Sequence, residues 1–133
     1  MKTIFGDTYY FLAVGNERDE GHLRTVQYAA KYKGQILTTE WVLTEVADAL
    51  ASPAQREQFL SLLQLISDDA NWIVVEASHD LFARGATLFS QRPDKSWSLT
   101  DCISFVVMEE QGISEALTAD HHFEQAGFVP LLK

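Results

Sequence analysis

The sequence has a single cysteine, three prolines, no long apolar run, and only 10 basic residues against 19 acidic ones. Each scarcity excludes something. One cysteine, Cys102, permits neither a disulfide framework nor a cysteine-cluster zinc site, and its place in an apolar helical stripe makes it a small core residue. Apolar runs such as Phe105-Val106-Val107-Met108 are too brief to span a bilayer, and Met1-Lys2-Thr3-Ile4-Phe5-Gly6-Asp7 reaches a charge too soon to be the apolar core of a signal peptide. A soluble, cytoplasmic chain with no membrane partner is therefore expected. The net charge of −9 argues against a protein that coats nucleic acid through a broad basic surface. It leaves room for a nucleic-acid enzyme, because carboxylates gathered in one cleft can be neutralised by divalent cations whose own charge the substrate then meets. With no internal repeat, low-complexity segment or linker, 133 residues of 47% hydrophobic composition fit one domain, residues 1–133.

What is present is an alternation of short β-prone runs with longer helical patterns. Strands are expected over 3–7, 35–38, 72–75, 115–118 and 127–132, the last at an edge because Pro130 cannot donate to a ladder. Helices are expected over 9–13, over 18–33 before Gly34, and over 39–51. Further helices are expected over 52–69 with Ser52 as cap, over 78–90, and over 98–111 before Gly112. This alternation gives an α/β fold with a mostly parallel sheet covered by helices on both faces. Ligands of such folds gather outside the carboxyl ends of the strands, at the switch in strand order.

Four carboxylates compete for that location. Asp7 and Asp120 stand just beyond the first and fourth strands. Asp101 lies in the first turn of the apolar helix carrying Leu99, Cys102, Ile103, Val106 and Val107. Glu45 interrupts the stripe Trp41, Val42, Val46, Ala49. Each has an ordinary explanation. Ser98-Leu99-Thr100-Asp101 fits a capping box, Asp7 and Asp120 fit caps, and Glu45 can snorkel to solvent. Together, however, four like charges at one edge would repel and raise each other's pKa values unless a cation sat among them. An oxygen-only donor set suits Mg²⁺ or Mn²⁺.

These residues lie in segments that resemble the PIN-domain family of metal-dependent ribonucleases, which includes the VapC-type toxins of toxin–antitoxin pairs. The segments are Ile4-Phe5-Gly6-Asp7-Thr8, Thr39-Glu40-Trp41-Val42-Leu43-Thr44-Glu45-Val46, Ser98-Leu99-Thr100-Asp101-Cys102-Ile103-Ser104-Phe105 and Leu117-Thr118-Ala119-Asp120-His121-His122-Phe123. The resemblance implies a three-layer α/β/α sandwich, with Asp7, Glu45, Asp101 and Asp120 as the acidic quartet and Thr8 and Thr118 as flanking hydroxyls. It also implies an RNA substrate, an antitoxin partner and a homodimer. The chemistry expected is phosphodiester hydrolysis by a metal-activated water, leaving 5′-phosphate and 3′-hydroxyl ends. Asp7, Asp101 and Asp120 would hold metal, and Glu45 would complete the shell or orient the water. Tyr9 departs from the small residue many members carry after Asp-Thr, and His122 stands where some members offer a further acid.

Other readings compete. A haloacid-dehalogenase-like phosphatase also opens on a strand ending in Asp, but it needs a second Asp two residues on, where Tyr9 stands. A non-catalytic protein-binding module would use the acids as caps and Tyr9, Tyr10 and Phe11 for contact. His121 and His122 can be read as metal ligands or an acid/base pair, although adjacent histidines in a turn more often diverge. Even without the quartet the acids outnumber the bases, so attraction for RNA must be local. Arg92 and Lys95, in the loop leading into the Asp101 helix, are the expected contacts, with Arg18 and Arg24 next.

Overall fold

The computed structural model describes residues 2–133. Five strands, β1 (Thr3–Gly6), β2 (Gln35–Thr39), β3 (Trp72–Val75), β4 (Glu115–Leu117) and β5 (Val129–Pro130), form one sheet in the order β3-β2-β1-β4-β5. Every neighbouring pair is parallel, so the sheet expected to be mostly parallel is wholly so. The helices are α1 (Thr8–Gly15), α2 (His22–Lys31), α3 (Glu40–Ala49), α4 (Arg56–Asp68), α5 (His79–Gln91), α6 (Leu99–Gln111) and α7 (His121–Gln125). Successive strand side chains point to opposite faces, and Ile4 and Phe5 of the central strand are both 0% exposed. Both faces of the sheet are therefore covered, as the α/β/α sandwich requires.

Local chemistry sets the helix boundaries. Ser78 accepts from the Leu81 N–H to open α5, and Gly112, at φ 68°, closes α6 in the left-handed conformation that a glycine adopts without a Cβ clash. Gly85, in the middle of α5, serves a different purpose. A Cβ there would stand 2.3 Å from Ile103 Cγ1 and 3.3 Å from Ile103 Cα, so the missing side chain is what lets α5 lie close on α6.

Three expectations are corrected. The helix expected from Arg18 begins only at His22, because Asn16 Oδ1 takes the Arg18 N–H and Asp19 Oδ1 takes the Gly21 N–H, closing turns that compete with helix. Ser52 caps nothing. Its hydroxyl donates to Gln55 Oε1 in a separate turn, and α4 starts at Arg56. Helix α7, the segment that Asp120 caps, is too short at five residues to show a period. The last strand shrinks to Val129–Pro130 at the sheet edge, where the N–H groups of Val129 and Leu131 flank the proline and donate to Ser114 and Ala116. No helix among the described residues is long and apolar enough to cross a membrane.

Candidate active site at the β1–β4 switch

The strand order runs outward from β1 in two directions, through β2 to β3 and through β4 to β5, which places the switch crevice beyond the carboxyl ends of β1 and β4. Asp7 follows β1 directly and is only 6% exposed. Its Oδ2 accepts from the Thr118 hydroxyl at 2.9 Å, and that hydroxyl oxygen accepts from the Asp120 N–H at 3.0 Å. Thr118 thus ties the end of β4 to the end of β1. Burial pushes the Asp7 carboxyl up to about 7, with the Asp101 and Asp120 charges adding to the rise and the Thr118 hydroxyl and Thr8 N–H opposing it.

Glu45 arrives from α3, which buries Val42, Leu43 and Val46. Its Oε1 accepts from the Thr8 hydroxyl at 2.6 Å, so the residue turns toward β1 rather than snorkelling away. Asp101 completes the expected capping box. Its N–H donates to Ser98 Oγ at 2.9 Å, and its Oδ2 accepts from the Ser98 N–H at 3.1 Å. The same Oδ2 lies 3.0 Å from His122 Nδ1. Burial raises the Asp101 carboxyl and the Asp120 charge adds to it, while the Ser98 N–H and His122 oppose the shift. Asp120 caps α7, and its Oδ1 accepts from the His122 N–H at 2.9 Å.

All four carboxylates line one cleft of about 520 Å³, together with Thr8, Tyr9 and His122. Cap and site are therefore not alternatives here. In each carboxylate one oxygen is engaged by a protein donor: Asp7 Oδ2, Glu45 Oε1, Asp101 Oδ2 and Asp120 Oδ1. The second oxygen of each takes no part in these bonds. Hard oxygens with their orientation fixed from behind suit a divalent cation of the magnesium type, and the Asp7 and Asp101 carboxyls are raised first by burial and then by the neighbouring acids. A larger hollow of about 800 Å³, walled by Leu88, Trp97, Phe105 and Phe128, contains none of the four. Its size is not matched by chemistry.

His121 and His122 face different ways, as expected, although their rings lie 4.5 Å apart and with Asp120 they form a group whose possible ligand atoms fall within 4.8 Å of one another. The group is compact because His122 folds over Asp120. Its Nδ1 is already taken by Asp101, while the His121 side chain is 65% exposed and outside the cleft. Arg92 and Lys95 are not brought into the cleft. Arg92 donates through Nε and a terminal nitrogen to both oxygens of Asp94 and lies over the Trp97 ring at 5.1 Å, and Lys95 Nζ is 4.0 Å from the same Asp94. Arg24 donates to the Leu132 carbonyl and sits close enough for its charge to act on Tyr9, which does line the cleft.

Glu45→Leu separates the site from packing. It should extend the apolar stripe of α3 and raise metal-free stability by roughly 1 kcal/mol, yet abolish any cleavage. Lower stability in thermal melts, with activity intact, would make the Thr8–Glu45 bond a structural pair only.

A parallel α/β fold with a carboxylate-walled switch crevice is an arrangement suited to holding a divalent cation beside a ligand. Comparison with known proteins places the chain more closely. The profile of the PIN domain matches residues 4–129, and the chain belongs to the PIN-domain family. It is 27% identical over 129 residues to the 23S rRNA-specific endonuclease VapC20 of Mycobacterium tuberculosis, covering 95% of both chains. The crystal structure of that protein, described as a sarcin-ricin loop cleaving toxin, superposes with a TM-score of 0.87 at 26% identity, over 95% of this chain and 96% of the other. FitAcB from Neisseria gonorrhoeae, at 13% identity and a TM-score of 0.69, covers 96% of this chain and shares the fold.

Proposed function

We propose that the chain is an Mg²⁺- or Mn²⁺-dependent endoribonuclease and the toxin of a toxin–antitoxin pair, acting as a homodimer. The observation that carries the reading is the common design of the four carboxylates, each with one oxygen held by a protein donor and one left for a cation in the same cleft. When bound there, a divalent cation lowers the pKa of water and neutralises charge building on the phosphate. Asp7, Asp101 and Asp120 would hold it, and Glu45, turned by Thr8, would complete the shell or orient the attacking water. Thr118 keeps Asp7 and the Asp120 backbone in register, so these oxygens meet the substrate already placed. The similarity to VapC20 makes ribosomal RNA the first substrate to try.

Thermal melting with increasing Mg²⁺ or Mn²⁺ tests the cation, and mass analysis of the products tests the chemistry. At 100-fold the dissociation constant, the ion should stabilise the fold by about 2.7 kcal/mol, and cut RNA should carry 5′-phosphate ends. An unchanged melt, or cyclic phosphate ends, would defeat the assignment. The rival binding module predicts no stabilisation.

A further inference from the structure

We propose that His122 is a positioning residue that joins Asp101 and Asp120, carried on two different helices, into one cation-holding pair. The proposal rests on the quartet being the cation site and adds how two of its members are aligned.

His122 lies in the wall of the cleft with its side chain 19% exposed. Its ring Nδ1 is 3.0 Å from Asp101 Oδ2 and 3.4 Å from Asp120 Oδ1, and its backbone N–H donates to the same Asp120 oxygen at 2.9 Å. Against an ionised Asp101, which only accepts, the ring nitrogen facing it is the donor. One residue therefore engages the rearward oxygen of both acids. This leaves Asp101 Oδ1 and Asp120 Oδ2 as the free oxygens, the arrangement by which donors behind a carboxylate tune a metal ligand. The ring bonds Asp101 and the backbone N–H bonds Asp120, so the imidazole itself acts on Asp101 while its own residue caps Asp120.

The position of His122 is itself built in. The next residue, Phe123, is 0% exposed and packs edge-on against Phe105 of α6 at 5.0 Å and against Phe5 of β1 at 6.3 Å. Gln125 accepts from Trp97 Nε1 at 3.0 Å on the far side of the same short helix. α7 is thus pinned to α6, to the segment leading into it and to β1, which fixes the place of the imidazole. His121, whose side chain points to solvent, has no such anchor.

The test compares His122→Ala, His122→Asn and His122→Gln by Mn²⁺ titration calorimetry, RNA cleavage at saturating Mn²⁺, and thermal melting without metal. The Asn amide nitrogen falls near the place of Nδ1, whereas the Gln amide reaches toward the place of Nε2. Ala and Gln should weaken Mn²⁺ binding about 10- to 100-fold, and Asn should restore it to within roughly threefold of wild type. The metal-free melting temperature should not track this order. His122→Ala placed in an Asp101→Asn background should lower Mn²⁺ affinity little further, because the imidazole acts through that carboxylate. Wild-type Mn²⁺ binding by His122→Ala would overturn the proposal. Equal losses in Ala, Asn and Gln would also overturn it, since the imidazole would then ligate the ion or touch RNA directly. Asp101→Asn alone keeps the two readings apart. If it binds Mn²⁺ as wild type does, the quartet itself is wrong. If it fails while His122→Ala binds normally, only the positioning role falls.

Discussion

Asp7→Asn should abolish RNA cleavage and, at pH 8 without metal, yield a protein more stable than wild type. The asparagine oxygen can accept the Thr118 hydroxyl bond that Asp7 Oδ2 now accepts, so the link between β1 and β4 survives. The amide nitrogen then takes the place of the free oxygen, putting two N–H donors and no charge where a cation must bind. Asp7 is buried and its carboxyl is pushed up to about 7, well above the value of 3.8 that the unfolded chain would show. Between those values the folded protein holds a proton that the unfolded chain has released. Stability is therefore lost as pH rises from about 4 through about 7, with a ceiling on the order of 4 kcal/mol. The asparagine variant lacks that loss, and a smaller slope of the same sign should remain from Asp101, whose carboxyl is also raised. Melting curves from pH 4 to pH 8 in chelator, beside cleavage assays in Mg²⁺, check both halves. Wild-type cleavage by the variant would remove Asp7 from the chemistry.

Gly85→Val should cost the fold roughly 3 kcal/mol, near the upper part of the range for overpacking, and lower the melting temperature by about 10 °C. Ile103 has nowhere to retreat: it is 1% exposed, and the new Cβ meets its Cα as well as its side chain. Relief requires α6 to move away from α5. Asp101 sits in the first turn of α6, so metal affinity should fall together with stability rather than after it. Ile103→Ala removes the Cγ1 atom that the new group strikes. The double variant should therefore be less destabilised than the sum of the single ones in a denaturant cycle, and strict additivity would show that the helices do not meet at this pair.

How far each part could be read from residues alone depends on how local its cause is. Ser98 and Asp101 cap α6 through bonds spanning three positions, and the spacing gave that away. Glu45 was visible as a pattern violation, one acid in a stripe of Trp41, Val42 and Val46, although nothing local showed that Thr8, 37 positions earlier, would hold it. The role of His122 was out of reach because it depends on α7 docking through Phe123 onto Phe105 and Phe5. The signal was faint: a histidine two positions beyond an acid that follows a strand. Chain adjacency alone puts Arg92 and Lys95 beside the cleft; in the structure both contact Asp94, and neither lines the cleft itself. The late start of α2 had a local cause, the Asn16 and Asp19 turns, but their competition with good helix formers is settled by small energies that periodicity does not register.

The 111 positions separating Asp7 from Thr118 have a kinetic meaning. β1, β2 and β3 can pair as soon as the first 75 residues are available, whereas the crevice has one wall until β4 slides in beside β1 and α7 folds over its end. Such distant parallel pairing is slow, because the loop must close before the contacts reward it. During refolding, helical circular dichroism should therefore recover before Mn²⁺ binding does, and a chain still folding passes through a stage in which it is structured yet harmless to RNA.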